Sequence, residues 1–308
     1  MILANSYVTL MISLGILFGL GTGALSFGLI LTSAIHFVGP KNAMIISGML
    51  NASAGMVGFI LSPVLQSFLS YNGLYFALNV LILMMVLLVP IVIVVTSKDN
   101  NSIDDIENEN IGINRSLFRE AFSNRTFCLL FAGFATCGFH MVIIESHLFS
   151  QFVLFGLNEL DVSWAFSVYG IATIFGALLS GFLSVRINKG KLLGFYYGFR
   201  AIWVILYLWL FPKTMLTAVL FSIGLGMTGD ATVSPTAGLV NENFLISKVA
   251  FVIGILFFAH QVGAFLSAMF GGVIRDAFGG YTLLWIFDIL LCVFACVMSL
   301  KIKVDDNF

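Results

Sequence analysis

The chain has 308 residues, of which 60% are hydrophobic and only 9% are charged. A soluble domain carries roughly 25% charged residues, so this composition excludes a water-soluble enzyme as the default interpretation. The net charge of −1, without a basic stripe, also argues against a surface that binds nucleic acid.

Long stretches of the chain carry no charge, including 42–97, 126–144 and 277–287. A membrane-spanning helix needs about 20 apolar residues, and the alternating strands of a membrane barrel are not found. The sequence therefore predicts an all-α polytopic membrane protein. Its nine expected spans are 7–36, 43–68, 72–96, 127–155, 162–185, 191–211, 214–240, 249–273 and 280–302.

The basic residues fall unevenly on the two sides of the membrane when these spans alternate. One side receives eleven Lys and Arg residues, and the other receives Lys213 and Arg275 alone, while Arg200 lies within a span. Cytoplasmic loops carry the excess of Lys and Arg. The sequence therefore predicts a cytoplasmic C-terminus, with the protein in the plasma (inner) membrane.

The long hydrophilic segment 97–125 divides the chain into two groups of spans. We predict a cytoplasmic central loop there, ending in a short surface helix near 115–123. Residues 1–96 then form a partial N-terminal bundle of three spans, 126–302 a C-terminal bundle of six, and 303–308 a cytoplasmic tail. Three spans are half of a six-helix bundle, so we expect a three-helix segment to be missing upstream.

Glycines and cysteines within the spans give no sign of a cofactor or metal. The run Gly224–Gly229 fits a dinucleotide pattern, but it lies inside an apolar span rather than after a strand. Cys292 and Cys296 share a helix face without a metal-binding spacing. We therefore predict no cofactor, no metal and no catalytic residue.

Polar side chains at membrane depth are costly unless they face a cavity or a partner, and they are the candidate functional residues. Arg200 either holds a substrate carboxylate, snorkels to the headgroups or pairs with Asp230. His140 and His260 either contact substrate or bond to a neighbouring helix, and Asp288 is expected to pair with a neighbour. The substrate-binding candidates are Arg200, His140, His260 and Gln261, and those for proton coupling or gating are Glu145, His147 and Asp230.

Four stretches of the second half are similar to a known family. They are CGFHMVIIESHL (137–148), SGFLSVRINKGKLL (180–193), YYGFRAIWVIL (196–206) and AHQVGAFLSAMFGGVIRDAFGGY (259–281). The chain resembles the major facilitator superfamily, in its monocarboxylate-transporter-like and oxalate/formate-antiporter-like branch, from the fourth helix to the twelfth. A conformational loop motif is implied at Gly181, Arg186, Lys189, Arg275 and Asp276, with Val185 in place of the family's Asp.

The resemblance implies a secondary transporter in which two bundles rock about a site at the midplane. The implied substrate is a small organic anion such as a monocarboxylate, moved by symport with protons or by antiport against a counter-substrate. Two alternatives remain open. In the first, the chain is a truncated, non-transporting remnant or one piece of a split transporter that needs a three-helix partner. In the second, it is a membrane enzyme or receptor, which would need a catalytic pair or a sensor domain.

Overall fold

The computed structural model describes residues 6–24, 30–31, 34, 38–39, 42–97 and 115–303, and all regular structure in these ranges is helical. The first helices are α1 (Tyr7–Leu10), a π-helix (Met11–Phe18) and α2 (Gly19–Ala24). The apolar helical stretch there, Val8–Gly21, is shorter than a bilayer span. The rest of the expected span 7–36 falls mostly outside the described residues.

Helix α3 (Ala43–Ser97) contains both of the next expected spans, 43–68 and 72–96. Gly73 interrupts it with φ 79° and ψ 174°, so a helix runs on each side of this residue. Only glycine adopts that backbone conformation without strain. The sequence therefore placed the division between the two spans within a few residues of Gly73.

The remaining helices match the other predictions closely. The surface helix expected near 115–123 is α4 (Arg115–Ser123). The six spans of the second half are formed by α5 (Arg125–Val142), a π-helix (Ile143–Leu148), α6 (Phe149–Leu154), α7 (Glu159–Arg186), α8 (Lys189–Ile205), a π-helix (Leu206–Leu210), α9 (Met215–Gly229), a 3-10 turn (Asp230–Thr232), α10 (Val233–Asn243), α11 (Ile246–Phe278) and α12 (Thr282–Leu300).

Seven helices in the described part of the chain are long and apolar enough to cross a membrane, against the nine spans expected. The difference arises because the two helices that meet at Gly73 are counted together as Ala43–Pro90 and because the first span is incompletely described. The protein is an all-α, polytopic integral membrane protein.

The chain divides into two compact units. One contains Met1–Ser26 and Val64–Phe118, and the other contains Phe27–Pro63 and Arg119–Phe308. In the first unit, Phe68 and Phe76 pack edge to face at 5.3 Å on either side of Gly73. The second unit holds the helix bundle, in which α5 packs on α11 and α12, α7 on α9, and α8 on α12.

A seam of small residues joins the first part of α3 to α7 within the second unit. A Cβ added to Gly55 would lie 2.6 Å from the carbonyl oxygen of Gly170, so the two backbones are in contact there. Ser167 Oγ donates to the Phe59 carbonyl at 2.7 Å, and Ser62 Oγ to the Ser163 carbonyl at 3.1 Å. Close backbone approach through glycine and serine is the usual packing of membrane helices.

Candidate functional site

The span Met215–Asn243 contains a break in its α-helical hydrogen bonding at Asp230–Thr232, a 3-10 turn between α9 and α10 whose flanking residues keep right-handed helical dihedrals. Pro235 explains part of this break, because it has no N–H to donate to the carbonyl of Ala231. Ser180 Oγ, from α7, donates to that carbonyl instead. A carbonyl left without its α-helical donor at membrane depth must be satisfied by another group.

Arg200 binds two further carbonyl oxygens at the break. Its Nη2 donates to the carbonyl oxygens of Thr228 and Gly229, the latter at 2.6 Å. These carbonyls belong to the last turn of α9, where the partial charge of a helix is negative. The guanidinium is fully buried, so its observed partners are the end of a helix rather than a solvent-filled cavity.

The side chains around Arg200 do not include a carboxylate within ion-pair distance among the described residues. Its Nη1 lies 3.7 Å from Cys137 Sγ, and its guanidinium carbon lies 5.1 Å from the centre of the Tyr197 ring. These contacts support a structural role, through the backbone rather than through the pair with Asp230 that the sequence left open.

Asp230 occupies the first position of the 3-10 turn and is half-buried. It lies close enough to Glu145, Arg200 and His260 for their charges to interact. Tyr169, on α7, shares this neighbourhood, because it lies near Asp230 and Glu145. Asp230 therefore lies near acidic, basic and phenolic groups from four other helices.

The π-helix Ile143–Leu148 carries two of the predicted residues in different surroundings. Glu145 is exposed and lies near His260. His147 is buried, with its ring 5.1 Å from that of Tyr281 and in the space that a Cβ on Gly271 would need. Single π-helical turns are frequent at functional sites, and this one separates the two side chains.

His260 and Gln261 lie on α11, where α11 crosses α5. The crossing is tight, because an added Cβ on Gly138 would collide with the His260 carbonyl, and one on Gly263 with that of Ala135. The half-buried His260 ring lies 5.2 Å from Phe134, and its Nδ1 has no hydrogen-bond partner among the described residues. Gln261 is exposed.

His140 lies apart from these groups, in the interior of the bundle. Its Nδ1 is 2.8 Å from Oδ2 of Asp288 on α12, and both side chains are fully buried. Asp288 thus has the neighbouring partner that its position in the last span predicted. In this conformation His140 contacts another helix, as its alternative interpretation held, and has no exposed surface for a substrate.

The residues of the implied loop motif divide between two ends of the bundle. Gly181 is buried at the seam with α3, and the exposed Arg186 guanidinium lies 4.0 Å from the Phe182 ring. Lys189 Nζ is 2.6 Å from Oε1 of Glu242, at the end of α10. Arg275 and Asp276, the other two members, lie near the C-terminal end of α11, about 40 Å from the start of that helix.

A shallow groove of about 550 Å³ between α7 and α9 is lined by apolar side chains such as Phe175, Leu179 and Met227. It lacks the convergent polar groups that orient a solute. The polar residues Glu145, Asp230 and His260 lie near one another, and this cluster is the candidate site of the second unit. Tyr169 and Arg200 are its neighbours.

Comparison with known proteins agrees with this architecture. A family model for the Major Facilitator Superfamily matches residues 1–236 and 148–307. The uncharacterized MFS-type transporter YcxA of Bacillus subtilis (strain 168) is 30% identical over 173 residues, which cover 52% of this chain and 40% of the relative. The chain thus matches less than half of that relative's length. Because the family model matches nearly the whole chain, the protein belongs to the major facilitator superfamily.

Proposed function

We propose that the protein works in secondary active transport, moving a small solute by alternating access. The observation that carries this proposal is the 3-10 turn at Asp230, where this carboxylate lies near Glu145 and His260 inside a membrane bundle. Ionisable residues within membrane helices mark solute pathways and proton relays. A stretch of 3-10 helix within a longer helix often marks a functional hinge.

We further propose that the chain belongs to the monocarboxylate-transporter-like and oxalate/formate-antiporter-like branch. Its solute is then a small organic anion that enters together with protons. The cluster supports symport because its accessible charges are acidic: Glu145 is exposed and Asp230 is half-buried. An anion would be repelled unless these carboxylates first took up protons. His260 and Gln261 then supply hydrogen bonds to the bound anion.

A cationic solute is the second candidate, and one specific observation favours it. Arg200, the membrane-embedded cation near the cluster, is fully buried against backbone carbonyls, whereas Glu145 is exposed. The accessible charge of the cluster is therefore negative and would attract an organic amine without a prior protonation step.

One uptake experiment tests both candidates. Purified protein is reconstituted into liposomes, and entry of labelled lactate, pyruvate, formate and oxalate is measured with and without an inward proton gradient. We expect uptake of one of these anions to increase with the gradient and to disappear with a protonophore. Competition by organic amines, with none by organic anions, would refute the anion proposal; no uptake of either class would refute transport.

Membrane and orientation are part of the same proposal. We propose the plasma (inner) membrane with the C-terminus in the cytoplasm. Two lysines support this orientation. Lys189 pairs with Glu242 in the last turn of α10, and Lys248, in the first turn of α11, pairs with Glu120. The basic side chains thus gather at one end of the second unit, as the positive-inside rule requires for a cytoplasmic face.

A further inference from the structure

A second polar cluster lies inside the bundle, outside the proposed solute site. His140 of α5, Asp288 of α12 and Cys292 of α12 each offer one ligand atom, and these atoms lie within 4.8 Å of one another. His140 Nδ1 is 2.8 Å from Asp288 Oδ2, and Cys292 Sγ is 3.8 Å from Asp288 Oδ1. From this convergence we infer that the three side chains form a binding site for a zinc-like divalent transition-metal ion.

The chemistry of the three donors selects the ion. An imidazole nitrogen, a carboxylate oxygen and a thiolate sulfur are the ligands of Zn²⁺, whereas Mg²⁺ and Ca²⁺ take oxygen ligands. Tetrahedral bonds of about 2.0 to 2.3 Å place neighbouring donor atoms roughly 3.3 to 3.7 Å apart. The separation of 3.8 Å between Cys292 Sγ and Asp288 Oδ1 is close to that range, and the one between His140 Nδ1 and Asp288 Oδ2 must open by about half an ångström. The two separations end on different oxygens, so both oxygens of Asp288 would border the ion.

The cluster without an ion leaves a hydrogen-bonding atom unsatisfied. His140 Nε2 is buried and has no hydrogen-bond partner among the described residues. A buried ring nitrogen without a partner carries a desolvation cost. Asp288 therefore satisfies one of the two ring nitrogens, and the hydrogen bonding of the cluster is incomplete.

Charge balance in the bundle interior also allows the ion. Arg200 and Cys137 both lie close enough to Cys292 for their charges to interact. A divalent ion is neutralised by the Asp288 carboxylate and the Cys292 thiolate. The Cys292 thiol releases its proton when the ion binds. Arg200 keeps the carbonyl oxygens of Thr228 and Gly229 as its partners.

Spacing along the sequence could not reveal this site. The two ligating helices are separated by 148 residues between His140 and Asp288. Asp288 and Cys292 are one turn apart on α12, so they share a face of that helix. Only the packing of α5 on α12 brings the third ligand to them.

Cobalt titration of the purified protein in detergent tests the proposal. We expect one Co²⁺ per chain, with the near-ultraviolet absorption of a cobalt–thiolate bond, and displacement by Zn²⁺. Cys292→Ser should abolish that absorption, and Asp288→Asn should weaken binding at least tenfold. Cys296→Ser, one turn further along α12 and half-buried, is the matched control and should bind as the wild type does.

Absence of the cobalt–thiolate absorption in the wild-type protein would overturn the inference and leave a simple hydrogen-bonded pair. Equal absorption in Cys292→Ser and Cys296→Ser, or unweakened binding in Asp288→Asn, would also overturn it. Should Cys292→Ser not fold, X-ray absorption of the zinc-loaded wild-type protein decides. One sulfur among nitrogen and oxygen donors supports the site, and the absence of sulfur refutes it.

Discussion

Replacement of Arg200 by glutamine tests whether this residue holds the broken helix together. The guanidinium donates to the carbonyls of Thr228 and Gly229 and is fully buried. A hydrogen bond from a charged donor contributes about 1.5 to 3 kcal/mol, so the two together contribute about 3 to 6 kcal/mol. Glutamine is shorter and restores at most one of them, so we expect Arg200→Gln to lower the free energy of unfolding by about 2 to 4 kcal/mol.

The assay is denaturant-induced unfolding of the purified protein in detergent micelles, followed by tryptophan fluorescence. Arg186→Gln is the matched control, because Arg186 is exposed and its guanidinium contacts only the Phe182 ring among the interactions described. We expect that change to cost less than about 1 kcal/mol. Equal stability of the two variants, combined with loss of uptake in Arg200→Gln alone, would refute the structural role and restore the role of direct carboxylate binding.

Three further predictions concern the packing of the second unit and the orientation of the chain in the membrane. Gly55→Ala should destabilise the protein by about 1 to 3 kcal/mol, because its Cβ would meet the Gly170 carbonyl at 2.6 Å. Gly58→Ala, whose Cβ would lie 3.9 Å from its nearest neighbour, should be neutral or stabilising in the same unfolding assay, and equal losses would contradict the seam. Asp288→Ala should cost about 3 to 5 kcal/mol, and leucine at both His140 and Asp288 should recover most of that loss; no recovery would show that the pair itself is required. A reporter that works only in the cytoplasm should be active when it is fused after the last residue, and a reporter that works only outside the cytoplasm should be inactive there. The opposite result would reverse the orientation.

The sequence predicted the lengths and places of the helices well. Apolar runs of about 20 residues are sufficient for this, because lipid requires every backbone group to bond within its own helix. The surface helix Arg115–Ser123 was also expected, since its polar residues surround a few apolar ones. These features depend on local composition, which a single sequence displays.

The break at Asp230–Thr232 was not expected, although two signals were present. Pro235 removes a helical donor, and Gly229 lies just before the turn. Neither signal shows which partners make the break stable. Ser180 and Arg200 lie 51 and 29 residues away from the carbonyls of Ala231 and Gly229 that they satisfy, so only the folded bundle reveals them.

The candidate residues were chosen because they are polar at membrane depth, and the structure separates them by partner. Asp230, Glu145 and His260 interact with one another, whereas His140 pairs with Asp288 and His147 packs against Tyr281. In a regular α-helix the seven-residue spacing of His140 and His147 would put them on one face, but the π-helix that begins at Ile143 changes the register between them.

The central claim is that Asp230 couples protons to solute movement, and the comparison of accumulation with exchange tests it most directly. Proteoliposomes containing wild-type protein, Asp230→Asn or the control Asp161→Asn, whose carboxylate is exposed at the start of α7, are assayed for both processes. We predict that Asp230→Asn loses accumulation driven by the proton gradient but keeps solute exchange at equal pH, while Asp161→Asn keeps both. Undiminished accumulation by Asp230→Asn would contradict the account.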